Sequence, residues 1–201
     1  MKKIEDIIRV TGLHPNRILN IYAFGSRIYC NSNKDSDWDF IVIAKSSYPE
    51  REFNSGDMNV HVLTPDRFQE GLDQHNIRNI ECLMAPSSAI LQEKLKINFK
   101  INLNRLRHSI SHTVSNSWVK AKKKILQGDY YIGTKSLWHS MRIAMFGIQL
   151  SEHGRITDWS CANDIWKEIQ SKTWTWEELD TRFRSYNNSL MTKFRASAPR
   201  V

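Results

Sequence analysis

A glycine-serine pair and two closely spaced aspartates are the residues of this chain best suited to chemistry. Gly25 and Ser26 follow one apolar run, and Asp37 and Asp39 open the next. Glycine lets the backbone approach a ligand closely, and free N–H groups beside a serine hydroxyl bind phosphate oxygens. Two carboxylates two residues apart on a strand share one face, where oxygen ligands suit Mg²⁺. The pattern predicts a phosphate-and-metal site, and the alternative is an ordinary turn between two strands.

Strands must flank this pattern for it to work as a site. Residues 17–24, "RILNIYAF", predict a strand that ends at the glycine. Residues 38–44, "WDFIVIA", predict a central strand, because apolar residues occupy both of its faces. Residues 58–64, "MNVHVLT", predict a third strand that sends Asn59 and His61 to one face. The polar segment between the second and third strands is predicted to be a loop.

The remaining pattern is helical. Residues 3–12 predict an amphipathic helix, and Thr64-Pro65 is a typical helix start. Helical periodicity continues from about residue 88 onward. The predicted C-terminal helices are 88–126 with a break near 100, 130–153, 160–171 and 175–195. The fold class expected is therefore α+β, with a small mixed β-sheet domain and flanking helices at 1–87, then a basic α-helical domain at 88–201.

Composition limits the class of protein. The chain has 201 residues, 40% hydrophobic and 25% charged, which is typical of a globular protein. No apolar run approaches the ~20 residues of a membrane span, and the N-terminus lacks the pattern of a signal peptide. Three separated cysteines without CxxC spacing argue against a disulfide framework or a zinc site. We therefore expect a protein of a reducing, cytoplasmic compartment with no membrane partner.

The net charge of +8 is distributed unevenly. Residues 1–92 hold 10 Lys+Arg against 12 Asp+Glu, whereas residues 93–201 hold 19 against 9, a net charge of +10. Such asymmetry favours a polyanionic partner for the second half. The alternative is a solvated, lysine-rich helical surface.

The spacing of the chemical residues resembles a known family. Phe24-Gly25-Ser26 and Asp37-Trp38-Asp39-Phe40 are similar to the hG[GS] and D-h-[DE]-h motifs of the polymerase-β-type nucleotidyltransferase superfamily. The stretch "FGSRIYCNSNKDSDWDFIVI" resembles its RNA-ligase-associated (RNA repair) and related bacterial and phage branch most. Weaker similarity extends through "DRFQEGLDQHNIRNIECLMAP" and "KSLWHSMRI".

The resemblance implies an activity and its parts. A protein of this family transfers a nucleoside monophosphate from an NTP, ATP by default, to a hydroxyl group and releases pyrophosphate. It uses Mg²⁺, with Mn²⁺ as an alternative. Carried over to this chain, Gly25, Ser26 and Arg27 would hold the triphosphate, and Asp37 and Asp39 would bind the metal.

The family's third carboxylate is missing from its expected position. Asn59 stands where an aspartate usually helps to bind the metal and to deprotonate the attacking hydroxyl. Asp57 or His61 on the same strand could take over, and Glu81 could reach in from the next segment. Alternatively, Asn59 leaves nucleotide binding intact and makes catalysis slow or absent.

The basic half offers further ligands for phosphate. Lys135, His139 and Arg142 fall at i, i+4 and i+7 on one helical face, so they could bind triphosphate oxygens. A lysine run at 120–124 either lies in solvent or follows a nucleic-acid backbone. We therefore expect an RNA acceptor, with tRNA as one example. A protein or small-molecule acceptor and a catalytically silent nucleotide- or RNA-binding module are the alternatives, and the oligomeric state stays open.

Overall fold

The structure, a computed structural model, describes residues 2–29, 31 and 36–199 and divides into two units, Met1–Lys100 and Ile101–Val201. The first unit combines a sheet with helices, and the second contains helices alone in its described part. The expected α+β class is confirmed. None of the helices in the described residues combines the length and apolarity that a membrane span needs.

Five strands form one mixed sheet in the described part of the first unit, in the order β3-β4-β2-β1-β5. Strands β2 and β4 pair in parallel, and every other neighbouring pair is antiparallel. The central position of β2 explains why its apolar residues are buried on both faces. The strands are β1 Ile18–Phe24, β2 Trp38–Ala44, β3 Glu50–Ser55, β4 Met58–Leu63 and β5 Ile90–Glu93.

Helices cover both faces of this sheet. Helix α1, Ile4–Thr11, packs Ile7 into a buried cluster with alternate residues of the central strands, such as Phe40 and Val60. The opposite face carries Tyr22, whose ring stacks on Phe68 at 6.0 Å. That phenylalanine belongs to the second of the three helices of this unit. Helices α2 and α3 are Pro65–Asp73 and Ile77–Leu83.

Helix α2 begins as its sequence predicts. Thr64 is the N-cap residue, and its side chain accepts a hydrogen bond from the backbone N–H of Arg67 at 3.2 Å. Pro65 occupies the first helical position, where a missing N–H removes no helical hydrogen bond. The local signal was therefore sufficient at this boundary.

Two strands lie where no strand was predicted. Strand β3 is an edge strand with mostly exposed, polar side chains, so its sequence lacks the alternation that signals a half-buried strand. Strand β5 pairs antiparallel with β1, and the prediction of a helix from about residue 88 is wrong at these residues. Backbone pairing formed both strands, β3 with the next strand along the chain, β4, and β5 with the distant strand β1. The first helix of the second unit accordingly begins at Leu103.

The second unit is built on two long helices that pack along each other, α4 and α5. Its predicted helices after residue 130 are confirmed to within a few residues. Helix α7 starts with a capping box, in which Thr175 and Glu178 each accept a backbone N–H of the other. The helices of this unit are α4 Leu103–Leu126, α5 Tyr130–His153, α6 Asn163–Gln170 and α7 Trp176–Ser197.

Candidate functional site

The chain turns sharply at the end of β1. Gly25 has a φ of +82°, in the left-handed region that favours glycine. Its carbonyl accepts hydrogen bonds from the N–H groups of Ile28 at 2.9 Å and Tyr29 at 3.2 Å. Residues 26–29 thus form a hydrogen-bonded turn. Ser26 and Arg27 are the first side chains of this turn.

Gly25 lies directly against Asp39. A β-carbon built on Gly25 would overlap Oδ2 of Asp39 and would lie 3.2 Å from its Cγ atom. The antiparallel register explains this approach, because Phe24 of β1 pairs with Asp39 of β2. Only glycine leaves room for the carboxylate here. The structure therefore brings the two motifs of the sequence into contact.

The two aspartates occupy the start of β2. Asp39 is the second residue of this strand and is half-buried, whereas Asp37 lies just before the strand and is exposed. The N–H of Trp38, between them, donates to the carbonyl of Asp57 at 2.8 Å. Both carboxylates thus lie at the end of β2 that adjoins the turn at Gly25.

Asn59 is the immediate neighbour of Asp39 in the sheet. The two residues are register partners in the parallel β2–β4 pair, and Asn59 Nδ2 donates to Asp39 Oδ1 at 3.1 Å. The structure therefore places Asn59 where the sequence predicted the third ligand position. The amide satisfies the carboxylate without adding a second negative charge.

Asp57 is already paired with a lysine. It lies in the turn before β4, and its Oδ1 atom accepts a hydrogen bond from Lys2 Nζ at 2.7 Å. This hydrogen bond holds the pKa of Asp57 below its ordinary value. The lower pKa makes the carboxylate of Asp57 a weaker proton acceptor.

His61 follows Asn59 by two residues on the same face of β4. Its Nε2 atom lies 3.5 Å from Glu52 Oε1 on β3, and its ring meets the ring of Phe24 edge-on at 6.4 Å. The Nδ1 atom is buried and has no hydrogen-bond partner in the described part of the chain. The imidazole therefore lies on the same face of the sheet as Asp39, two residue positions further along the strands.

Glu81 holds the turn rather than reaching out of its helix. It is 3% exposed on α3, and its Oε2 atom accepts a hydrogen bond from the hydroxyl of Tyr29 at 2.6 Å. Tyr29 is also 3% exposed and lies in the turn that follows Gly25. The sequence pattern did not indicate a role for Tyr29, because its partner Glu81 is 52 residues away along the chain.

Arg27 connects the turn that follows Gly25 to the residues at the start of β2. Its guanidinium donates to the carbonyl of Ser36 and lies 4.3 Å from the centre of the Trp38 ring. Trp38 in turn stacks on Phe40 at 6.2 Å. Arg27 thereby fixes the chain on either side of Asp37. Its predicted contact with phosphate stays a prediction.

Lys135, His139 and Arg142 form one cluster on α5, within the second unit. Arg142 is 3% exposed and donates to His139 Nδ1 from Nε at 3.3 Å. Burial, and then the charges of Arg142 and Lys135, hold the pKa of His139 well below its ordinary value of 6.5. Lys135 Nζ lies 5.6 Å from the ring of Tyr131. The predicted role of these residues in phosphate binding stays a prediction.

The donors at the start of β2 fit a hard divalent cation. Asp37 and Asp39 supply carboxylate oxygens, and Asn59 supplies an amide whose oxygen could face the metal if it rotated. Mg²⁺ and Mn²⁺ prefer such oxygen ligands and accept the remainder from phosphate and water. Among the residues described, no group of three histidine, cysteine or acidic side chains could hold a metal. The metal would therefore need oxygens from a bound phosphate.

No family model and no curated protein matches this chain. Among solved structures, it is similar to a nucleotidyltransferase-like protein from Exiguobacterium sibiricum 255-15, with 14% identity and a TM-score of 0.34 over 96% of this chain and 73% of that one. It is also similar to an aminoglycoside 6-adenyltransferase from Bacillus subtilis, with 11% identity and a TM-score of 0.33 over 96% and 89% of the two chains.

Proposed function

We propose that this chain is a metal-dependent nucleotidyltransferase that moves a nucleoside monophosphate from an NTP, ATP by default, to a hydroxyl group. The observation that carries the proposal is the contact between Gly25 and Asp39. It joins a tight turn suited to phosphate to a carboxylate suited to a metal, with Asp37 two residues away.

The residues around the turn have separate tasks in this reaction. The backbone at Gly25 and the hydroxyl of Ser26 would bind phosphate oxygens, because glycine lets the chain approach them. Asp37 and Asp39 would hold Mg²⁺. Bound there, Mg²⁺ supplies charge neutralisation at the phosphate oxygens and makes the phosphorus a better electrophile. Arg27 keeps both sides of the loop in place through Ser36 and Trp38.

The acceptor hydroxyl must lose a proton as its oxygen attacks the α-phosphorus and pyrophosphate leaves. Because Asp57 is hydrogen-bonded to Lys2, we assign the role of proton acceptor to the imidazole of His61. Histidine is the side chain that most often serves as a general base in enzymes. The assignment predicts that His61→Ala loses transfer but keeps nucleotide binding, whereas Asp57→Asn keeps both.

The direct test is incubation of the purified chain with each α-³²P-labelled NTP, Mg²⁺ and pooled RNA, protein or small molecules. We expect label to appear in an acceptor, and Asp39→Asn to abolish it. Asp66→Asn is the matched control, because Asp66 is an exposed aspartate of the same unit in the first turn of α2. Transfer that survives Asp37→Asn with Asp39→Asn would rule out the metal assignment.

We favour an RNA end as the acceptor. The second unit, residues 101–201, holds 16 Lys+Arg against 8 Asp+Glu, so it carries the whole net charge of the chain. A surface of this sign attracts a polyanion and repels cationic small molecules. Label in RNA would support this choice. Label found only in protein or in a small molecule would replace it with one of those acceptors.

A catalytically silent nucleotide-binding module is the second candidate, and the Asn59–Asp39 hydrogen bond favours it. With an amide in place of the third carboxylate, the site could bind nucleotide without turning it over. This candidate predicts nucleotide binding without label transfer. It also predicts that Asn59→Asp creates or strongly increases transfer.

A further inference from the structure

A polar groove lies between α4 and α7 in the second unit, and the proposed reaction does not account for it. The cavity has a volume of about 420 Å³. Its walls are one face of each helix, with Trp118 on α4 and Asn187 and Arg195 on α7. A volume of this size is within the range of small-ligand sites and can hold about one nucleotide.

The groove is positively charged. Arg184 and Arg195 line it, and the lining residues include no aspartate or glutamate. Arg184 pairs with Asp180, which does not line the groove, through Nε and Oδ2 at 2.8 Å. Arg195 is exposed, and no carboxylate of the described residues forms an ion pair with it. Its charge is therefore available to an anion.

Two buried polar atoms belong to side chains of this wall and have no partner among the described residues. They are Trp118 Nε1, a donor, and Asn187 Oδ1, an acceptor. Asn187 is 8% exposed. Buried polar groups in proteins are nearly always hydrogen-bonded, so these two atoms need a partner that the described residues do not supply. That partner is either a ligand or an ordered water molecule.

The positive surface continues from the groove along α4. Trp118 lines the groove, and Lys122, one helical turn further along α4, continues the same face with an exposed side chain. A free cation in the groove and a second one a helical turn beyond it suit two successive phosphates of a nucleic-acid strand better than one small anion.

We infer that the groove binds one nucleotide of a single-stranded RNA, with its phosphate on Arg195 and the strand continuing past Lys122 of α4. Trp118 Nε1 and Asn187 Oδ1 then serve as donor and acceptor for the ribose or the base. This inference rests on the proposed function in one respect, since it gives the favoured acceptor a binding site. RNA binding itself requires neither NTP nor metal.

The test is fluorescence anisotropy of a labelled single-stranded RNA octamer, without NTP or metal, against the full chain. Arg195→Ala should weaken binding by about tenfold, the effect of losing one phosphate contact in a favourable site. Lys193→Ala is the matched control, because it removes one positive charge from the same helix but does not line the groove. We expect it to weaken binding less than about twofold.

Further variants and competitors make the result decisive. Trp118→Phe keeps a ring but removes the donor, and we expect weaker binding with an unchanged melting temperature. Equal losses in Arg195→Ala and Lys193→Ala would overturn the inference in favour of diffuse attraction. Competition by a polyglutamate peptide or by inorganic phosphate as strong as that by RNA would also overturn it. An unchanged affinity of Trp118→Phe for the octamer would overturn it too, because the partner of Trp118 Nε1 would then be an ordered water only.

RNA binding by the groove and the proposed transfer reaction can be tested independently of each other. Asp39→Asn should abolish nucleotide transfer and leave octamer binding unchanged. Binding that is lost in Arg195→Ala while transfer to a small test acceptor persists would support the groove as a separate site. Transfer without any octamer binding would overturn the groove and leave the reaction intact.

Discussion

The side-chain amide of Asn59 donates to the carboxylate of Asp39 across the parallel pair of strands β2 and β4, at 3.1 Å. This contact replaces a carboxylate–carboxylate pair, which would repel in the absence of a cation. Asp39 is therefore stabilised without metal. If the site binds Mg²⁺ as proposed, Asn59 links its stability to its affinity for the metal.

Replacing Asn59 with aspartate should make the stability of the protein depend on metal. Asn59→Asp removes the donor and adds a like charge, so the free energy of unfolding should fall by about 1–3 kcal/mol in EDTA. Mg²⁺ should restore most of this loss. The measurement is the melting temperature with EDTA and with Mg²⁺. Asn54→Asp, one strand further from Asp39, is the control, and an equal response of both variants to Mg²⁺ would contradict the linkage.

Because Gly25 lies so close to Asp39, a substitution at Gly25 should have a larger effect than backbone strain alone would cause. Gly25→Ala should destabilise through its positive φ by about 1–2 kcal/mol and, in addition, displace the carboxylate of Asp39. Gly56→Ala is a matched control, since Gly56 has a φ of +58° and nothing within 4 Å of an added β-carbon. We expect only Gly25→Ala to lose nucleotide binding, measured with a fluorescent ATP analogue. Similar binding by both variants would argue against the site.

The hydrogen bond between Tyr29 and Glu81 should stabilise the turn. Tyr29→Phe removes a donor from a buried carboxylate, so we expect a loss of about 1–3 kcal/mol in urea unfolding. Tyr48→Phe is the control, because Tyr48 is 58% exposed. If the turn positions phosphate ligands, Tyr29→Phe should also weaken binding of the ATP analogue at temperatures where it is fully folded. A stability loss with unchanged affinity would limit this pair to a structural role.

His139 predicts a pH dependence of stability. Its pKa in the folded chain lies well below 6.5, first because of burial and then because of nearby cations. The unfolded chain therefore binds a proton near pH 6.5 that the folded chain does not bind, so the free energy of unfolding should fall as pH drops below this value. His139→Gln should make the decrease shallower in urea titrations between pH 7.5 and 5. His153→Gln, an exposed control on the same helix, should leave the slope unchanged.

The sequence alone was sufficient for the local features of this protein. The strands that end at Phe24 and begin at Trp38 were predicted from their apolar runs, and the long C-terminal helices from their period. The Gly25 turn and the Asp37–Asp39 pair were found because their chemistry depends on residue type and short spacing. Helix starts such as Thr64-Pro65 were also readable for this reason.

The tertiary structure decided what depends on distant partners. Strand β5 exists because it pairs with the distant strand β1, although its sequence carries no strand pattern. The parallel register of β2 and β4 placed Asn59 beside Asp39, and the fold brought Lys2 into a hydrogen bond with Asp57. The contact of Gly25 with Asp39 likewise follows from the register of β1 against β2. Hydrogen bonds between strands form across any separation along the chain, so short-range periodicity could not reveal which residues would face each other at the site.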